Sequence, residues 1–222
     1  MSQVGSTVGP VVRVLVVDDD TMVRSFLRQI LTKRGIDVVA EASDGDEVVP
    51  AVQAHHPDVV LMDLRMERMD GVRATAAVVA LPDPPGVVAM TSFDTESTIL
   101  DAVHAGAAGF LAKDAGPDEL VAAVQAVASG DGALSARAAR VVMEQVAAAP
   151  TARGQREAQE MLARLTDREL EIAHCAAEGL SNIEIAARLF MGEATVKTHL
   201  SKACQKLGTN RVRLAVLVDR AG

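Results

Sequence analysis

Six polar side chains stand directly after four short apolar runs, and their types suit phosphorus chemistry. Asp18, Asp19 and Asp20 follow VVRVLVV (11–17), Asp63 follows DVVLM (58–62), Thr91 follows GVVAM (86–90) and Lys113 follows GFLA (109–112). If the runs are parallel strands, their carboxyl ends meet at one edge of the sheet, where open α/β folds build their sites. Clustered carboxylates resist ionising together unless a cation compensates. Oxygen ligands with no Cys or His among them favour Mg²⁺, which takes one or two carboxylates plus phosphate oxygens and water. In that setting Asp63 can act as a nucleophile towards phosphorus. Thr91 and Lys113 can then bind the transferred phosphoryl oxygens. Taken singly, each residue has a plainer explanation: an Asp or Thr after a strand commonly caps the next helix, and a lone Lys is commonly a solvated charge. Together they resist it, because an acid cluster without a task costs stability.

The elements that must position these groups are readable by period. The four runs are short, Val-rich and bounded by turn residues, as buried parallel strands are, with a fifth strand at 36–40. Helical patterns lie between them. In 21–34, Val23, Phe26, Leu27, Ile30 and Leu31 fall on one face and Gly35 supplies a C-cap. Helices at about 71–80, 95–106 and 117–129 follow the same logic, and Pro50 should kink or shorten the second helix. Five strands alternating with five helices predict a doubly wound α/β domain over residues 12–130, with a five-stranded parallel sheet. Residues 131–160 are expected to form a helix at 135–147 and then a linker at about 148–160, where Ala, charge and helix breakers dominate.

The last segment, 161–222, holds no strand pattern and reads as a small all-α domain. Thr166-Asp167-Arg168-Glu169 and Ser181-Asn182-Ile183-Glu184 are capping-box sequences, and Gly179 and Gly208 fall where C-caps belong. Four helices are expected, at about 167–178, 182–189, 193–207 and 210–219, with a tight turn containing Gly192 between the second and third. Projected at 100° per residue, the third buries Val196, Leu200, Ala203 and Leu207 and exposes Lys197, Thr198, Ser201, Lys202 and Gln205. Such a face suits the major groove of DNA. A solvated amphipathic helix would look similar if it stood alone, without the capped helix and turn before it. Net charge supports the nucleic-acid reading: residues 1–160 carry 13 Lys and Arg against 23 Asp and Glu, whereas residues 161–222 carry 9 against 7.

Composition bounds the class. At 222 residues, with 49% hydrophobic and 23% charged residues, the chain fits a globular protein of one large or two small domains. No apolar run is long enough for a membrane span, and the start MSQVGSTVGPVV lacks a secretory pattern. Cys175 and Cys204 make neither a disulfide framework nor a metal spacing, so a reduced, cytoplasmic setting without membrane partners is expected.

Residues 12–130 resemble the receiver domain of two-component response regulators, through VLVVDDD (14–20), VVLMDLRMERMDG (59–71), VVAMTS (87–92) and GFLAKDA (109–115). The resemblance implies that Asp18, Asp19, Asp63 and the Arg65 backbone carbonyl hold Mg²⁺ and that Asp63 is phosphorylated. It further implies that Thr91 and Lys113 contact the phosphoryl group and that Thr91 and Phe110 are the switch pair. Glu67 stands where that family usually has Pro, and Arg65 places a long cation beside the acyl phosphate. Residues 165–218 resemble the LuxR-type helix-turn-helix, most specifically in GLSNIEIAARL and TVKTHLSK. This implies that Lys197, Thr198 and Ser201 face bases, while Thr195, Lys202, Lys206 and Arg211 hold phosphates. His199 then serves packing or a backbone-phosphate contact, and Gly192 is an N-cap without a side-chain phosphate contact.

In that order the two halves are similar to NarL/FixJ-type response regulators. The resemblance implies a transcription factor, not an enzyme, that is phosphorylated on Asp63 by a sensor histidine kinase and binds double-stranded DNA half-sites as a homodimer. Two alternatives differ in class. A haloacid-dehalogenase-type phosphatase also uses a strand-end Asp and Mg²⁺, but its Asp-x-Asp signature needs Thr or Val where Met22 stands and leaves Asp63 unexplained. A regulator that binds DNA without phosphorylation would have no use for the complete set of receiver residues.

Overall fold

The computed structural model describes residues 11–92, 95–147 and 152–222. Residues 1–10, on which the N-terminal reading rests, and 148–151, the start of the expected linker, lie outside them. Alternation of strand and helix runs β1 (Arg13–Val17), α1 (Thr21–Lys33), β2 (Asp37–Ala42), a 3₁₀ turn (Gly45–Glu47), α2 (Val48–His55), β3 (Val59–Asp63), α3 (Gly71–Val79), β4 (Gly86–Thr91), α4 (Glu96–Ala105), β5 (Gly109–Ala112) and α5 (Pro117–Ala128). The strands pair in parallel in the order β2-β1-β3-β4-β5-β6, where β6 is the two-residue strand Ala133–Leu134. The sheet therefore has six strands rather than the expected five. Ala133–Leu134 is too short to carry a period of its own, and backbone bonds from Ala133 to Ala108 and from Ser135 to Phe110 bring it in.

Burial on both faces explains the continuous apolar runs. Alternate residues of β1, β3 and β4 (Val14, Val16, Val59, Leu61, Val88, Met90) pack with Leu27 and Leu31 of α1 and with Leu120 and Val124 of α5. The opposite face (Leu15, Val17, Val60, Met62, Val87) packs with Val48 and Val52 of α2 and with Ala74 and Val78 of α3. Two expectations need correction. Phe26 is 59% exposed, because the buried stripe of α1 runs through Leu27 and Leu31 and leaves Phe26 beyond its edge. Pro50 falls in the first turn of α2, where a missing N–H costs no intrahelical bond; the 3₁₀ turn before it takes up the connection.

Beyond β6, α6 (Ala136–Ala147) packs back on the sheet domain, its Ala138 and Val141 sharing a core with Leu64, Ala89, Ile99 and Phe110. The expected linker is largely helical: α7 spans Ala152–Leu162. Ala158 and Leu162, one turn apart, are both buried, α7 lies along α11, and Gln159 Nε2 donates to the Ala221 carbonyl at 3.0 Å. Its breaker, Gly154, sits in the first turn, where it does little harm.

The remaining helices match expectation: α8 (Asp167–Ala177), α9 (Asn182–Arg188), α10 (Glu193–Leu207) and α11 (Arg211–Ala221). Both capping boxes form, Thr166 with Glu169 and Ser181 with Glu184. Gly208 ends α10 in the left-handed region at φ 58°. Val196, Leu200, Ala203 and Leu207 join Ile172, Ile185 and Leu214 in a second core, separate from the sheet.

Candidate functional site

The site at the sheet edge is built by strand ends. β1 and β3 are neighbours, so the residues that follow or end them, Asp18 and Asp63, come side by side at the point where chain order reverses. Carboxylate oxygens of Asp18, Asp19 and Asp63 all lie within 4.8 Å of one another, with Asp18 and Asp63 buried and Asp19 exposed. Lys113, just past β5, reaches both buried acids: its Nζ is 2.7 Å from Asp18 Oδ2 and 2.8 Å from Asp63 Oδ2. Thr91 ends β4 one residue past the Asp63–Met90 register pair, is 1% exposed, and pairs with Ala112, next to Lys113. Phe110 is fully buried, in one core with Ile99 and with Ala138 and Val141 of α6.

Burial raises the Asp63 carboxyl above its ordinary value, opposed by the Lys113 ammonium and the Arg65 N–H, which donates to Asp63 Oδ1 at 3.2 Å. Burial presses Lys113 the other way, but bonds to Asp18 and Asp63 outweigh it and leave its ammonium harder to deprotonate than usual. Three carboxylates around the Lys113 ammonium make an acid-rich, partly desolvated cleft. An all-oxygen donor set fits a hard divalent cation such as Mg²⁺.

Asp20 takes the plainer role open to a strand-end acid, that of a helix cap, and two further supporting residues, Arg24 and Asp44, escaped the sequence reading. Asp20, the third acid of the run, is the N-cap of α1, its Oδ1 accepting from Met22 N at 2.7 Å. Arg24, one turn into α1, donates to the Asp18 carbonyl at 2.7 Å and to the Asp19 carbonyl at 3.3 Å, fixing the backbone of the acid pair. Asp44, before the 3₁₀ turn, is 4% exposed and accepts from the backbone of the loop after β3, at Arg68 N (3.0 Å) and Met69 N (2.8 Å). Only Asp44 had a signal, a turn-forming Asp-Gly; the partner lies 24 residues on.

The second candidate surface is α10. Thr195, Thr198, Ser201 and Lys202 are exposed, and Thr198 Oγ1 donates to the Ala194 carbonyl. Other members of the expected DNA face are engaged. Lys197 Nζ donates to the Ala128 carbonyl at 2.8 Å, at the carboxyl end of α5. Gln205 Nε2 donates to the Pro82 carbonyl at 2.9 Å. Arg211 donates to Asn182 Oδ1 (2.8 Å), to the Leu180 carbonyl and to the Gly130 carbonyl (3.5 Å), and lies 3.5 Å from Asp131. Asn182 Nδ2 in turn donates to the Ser129 carbonyl at 2.8 Å. The end of α5, whose last carbonyls lack helical partners, thus takes hydrogen bonds from three elements of the C-terminal domain. Lys206 instead turns inward, its Nζ 2.6 Å from Glu169 Oε2. Burial pushes the Glu169 carboxyl up, but Lys206 and Thr166 outweigh it and bring it down to about 2. His199 is half-buried, and burial raises both free thiols, Cys204 to about 12.

Comparison with known proteins matches both halves. Residues 14–125 match the response regulator receiver domain, and residues 163–218 match the LuxR family of bacterial regulatory proteins. The chain is 35% identical over 214 residues to the uncharacterized transcriptional regulatory protein YxjL of Bacillus subtilis, covering 95% of this chain and 96% of that one. It is 36% identical to the DNA-binding transcriptional activator DevR/DosR of Mycobacterium tuberculosis, covering 90% of each. It is 33% identical to the nitrate/nitrite response regulator protein NarP of Escherichia coli, covering 93% of each. Among solved structures, the response regulator ChrA of a heme-sensing two-component system is 39% identical over 95% of this chain and 96% of that one, with a TM-score of 0.52. A family of transcription factors leaves no place for the phosphatase alternative. With a receiver ahead of a LuxR-type helix-turn-helix and relatives matched along nearly their whole length, the chain belongs to the NarL/FixJ-type response regulators, the DNA-binding transcriptional regulators of two-component systems.

Proposed function

We propose that Asp63 accepts a phosphoryl group from a sensor histidine kinase and that this controls promoter binding by α10, in the cytoplasm and as a homodimer on paired half-sites. The observation that carries the reading is the gathering of Asp18, Asp19 and Asp63 within 4.8 Å, bridged by Lys113. Asp18, Asp19, Asp63 and the Arg65 carbonyl would hold Mg²⁺, which when bound supplies charge compensation for the incoming phosphoryl oxygens. An Asp63 carboxylate oxygen attacks phosphorus, the bond to the donor breaks towards the donor, and an acyl phosphate remains on Asp63. Lys113 then leaves its ion pair with Asp63 for a phosphoryl oxygen, and Thr91 turns its hydroxyl to another. Phe110 follows Thr91, and because it packs on Ala138 and Val141 of α6, its movement reaches the segment leading to the DNA-binding helices.

Occlusion is the form of control that the contacts favour. Lys197 and Arg211, expected at bases and phosphates, are spent on the carboxyl end of α5 and on Asp131. Release would return them to DNA, together with the exposed Thr195, Thr198, Ser201 and Lys202, while Lys206 stays on Glu169 within the helical domain. The testing experiment is incubation of the full chain with a small-molecule phosphodonor and Mg²⁺, read by intact-mass spectrometry. One phosphoryl adduct per chain is expected on the native protein and none on Asp63→Ala; an adduct retained by the variant overturns the assignment.

A further inference from the structure

The loop 64–70 joins β3 to α3 and carries the Arg65 carbonyl, and it has glycine at its far end and at its outer contact. Gly71 N donates to the Leu64 carbonyl at 3.1 Å, and a Cβ on Gly71 would stand 2.0 Å from the Asp63 carbonyl oxygen. A Cβ on Gly45 would stand 2.4 Å from the Met69 carbonyl oxygen, so the 3₁₀ turn also presses closely on the loop. Between these contacts lies the buried Asp44 carboxylate. Its Oδ1 accepts from Gly45 N and Met69 N, both at 2.8 Å, and its Oδ2 accepts from Arg68 N at 3.0 Å. The Arg68 guanidinium folds back over the same turn, 3.1 Å from Asp46 Oδ1, 2.6 Å from Glu47 Oε1 and 3.5 Å from Asp44 Oδ2. Glu47 is itself held by Ser43, through N at 2.9 Å and Oγ at 3.0 Å.

We propose that Asp44, assisted by Arg68, is a positioning residue for the divalent-cation site: it locks the middle of the loop to the 3₁₀ turn and thereby sets where the Arg65 carbonyl points. The inference rests on the reading that Asp18, Asp19, Asp63 and the Arg65 carbonyl hold the cation. Two bonds to consecutive backbone N–H groups fix both position and rotation of the segment, which a single contact would not do. Glu67 stands between the held residues and Arg65, so this chain secures by side-chain bonds a loop with no proline to stiffen it. Burial pushes the Asp44 carboxyl up, but the three N–H donors and Arg68 outweigh it, so it stays ionised and keeps its grip at neutral pH.

The test is Mn²⁺ binding to the full chain, read by loss of the free-ion paramagnetic resonance signal and competed with Mg²⁺, without a phosphodonor. Asp44→Ala should weaken Mn²⁺ on the order of tenfold, the size usual for outer-shell supports of a metal site. Asp44→Asn, which keeps an acceptor for one side of the loop only, should fall between it and the native chain. Gly45→Ala should also weaken binding, by steric displacement of Met69. Val52→Ala, a core truncation in α2, should lower stability and leave Mn²⁺ affinity unchanged. If Asp44→Ala does not fold, Asp44→Asn decides. Native affinity in folded Asp44 variants, or equal weakening by Val52→Ala, overturns the inference and leaves the cation site standing. A native chain that takes up no Mn²⁺ overturns both.

Discussion

The sheet-edge pocket and the helical domain both carry paired cations, but they hold them in opposite senses. In the pocket, Lys113 is paired with the two acids beside which it is proposed to act, so the ion pair itself pre-positions the ammonium for an incoming phosphoryl group. On the helical domain, Lys197 and Arg211 are paired with receiver atoms that DNA would have to displace. One site is assembled for use and the other is assembled and covered. On the proposed function, this difference would place control at the second site: phosphoryl capture would start from side chains already gathered, whereas DNA binding would first have to break the contacts with the end of α5.

Lys113→Ala should sharpen this contrast most. Phosphoryl uptake from a small-molecule donor should slow on the order of a hundredfold, as loss of one preorganised cation at a developing charge does. DNA binding without donor should be unchanged, because Lys113 lies far in sequence and contact from α10. Asp131→Ala should do the reverse. It removes a receiver acid that touches Arg211 and Asn182, so DNA binding without donor should tighten roughly fivefold, for about 1 kcal/mol of lost latch contact, while phosphoryl uptake stays native. If Asp131→Ala binds DNA no better than the native chain, the covered-site half of the comparison fails.

Lys202 and Lys206 test whether basic residues of α10 are interchangeable. Lys202→Ala should shallow the salt dependence of DNA binding by about one unit in the logarithmic slope and leave stability intact. Lys206→Ala should instead destabilise the helical domain by roughly 1–2 kcal/mol, since it strands the buried Glu169, with the half-exposed ammonium partly screened. The pH sign follows from Glu169. A carboxyl held down at about 2, against 4.5 when unpaired, contributes stability that is complete above pH 4.5 and is lost as pH falls through about 2. Acid unfolding followed by helical circular dichroism should therefore begin at higher pH in Lys206→Ala than in the native chain.

These contrasts also mark what could be read in the chain alone. The strands were legible because burial on both faces demands continuous Val-rich runs, and the pocket because parallel strands deliver their carboxyl ends to one edge. The helical domain was legible through its capping boxes and the stripe Val196, Leu200, Ala203 and Leu207. Partners were not. Nothing local distinguishes Lys206, which turns to Glu169, from Lys202, which stays exposed, and Lys197 finds the Ala128 carbonyl 69 residues away. Helix α7 was missed because only Ala158, Met161 and Leu162 mark its apolar side, and burial against α11 decides the matter. Asp44 read as an ordinary turn residue because the N–H groups it accepts belong to a distant loop.

The most direct test of the central claim is operator binding by the full chain, with and without a small-molecule phosphodonor in the presence of Mg²⁺, on native and Asp63→Ala protein in parallel. Native protein should bind on the order of tenfold more tightly with donor, within the usual range of coupling between two sites. Asp63→Ala should bind equally with and without it. Equal tightening of both proteins by the donor, or no tightening of the native chain despite a phosphoryl adduct, would contradict control of the DNA-binding helix through Asp63.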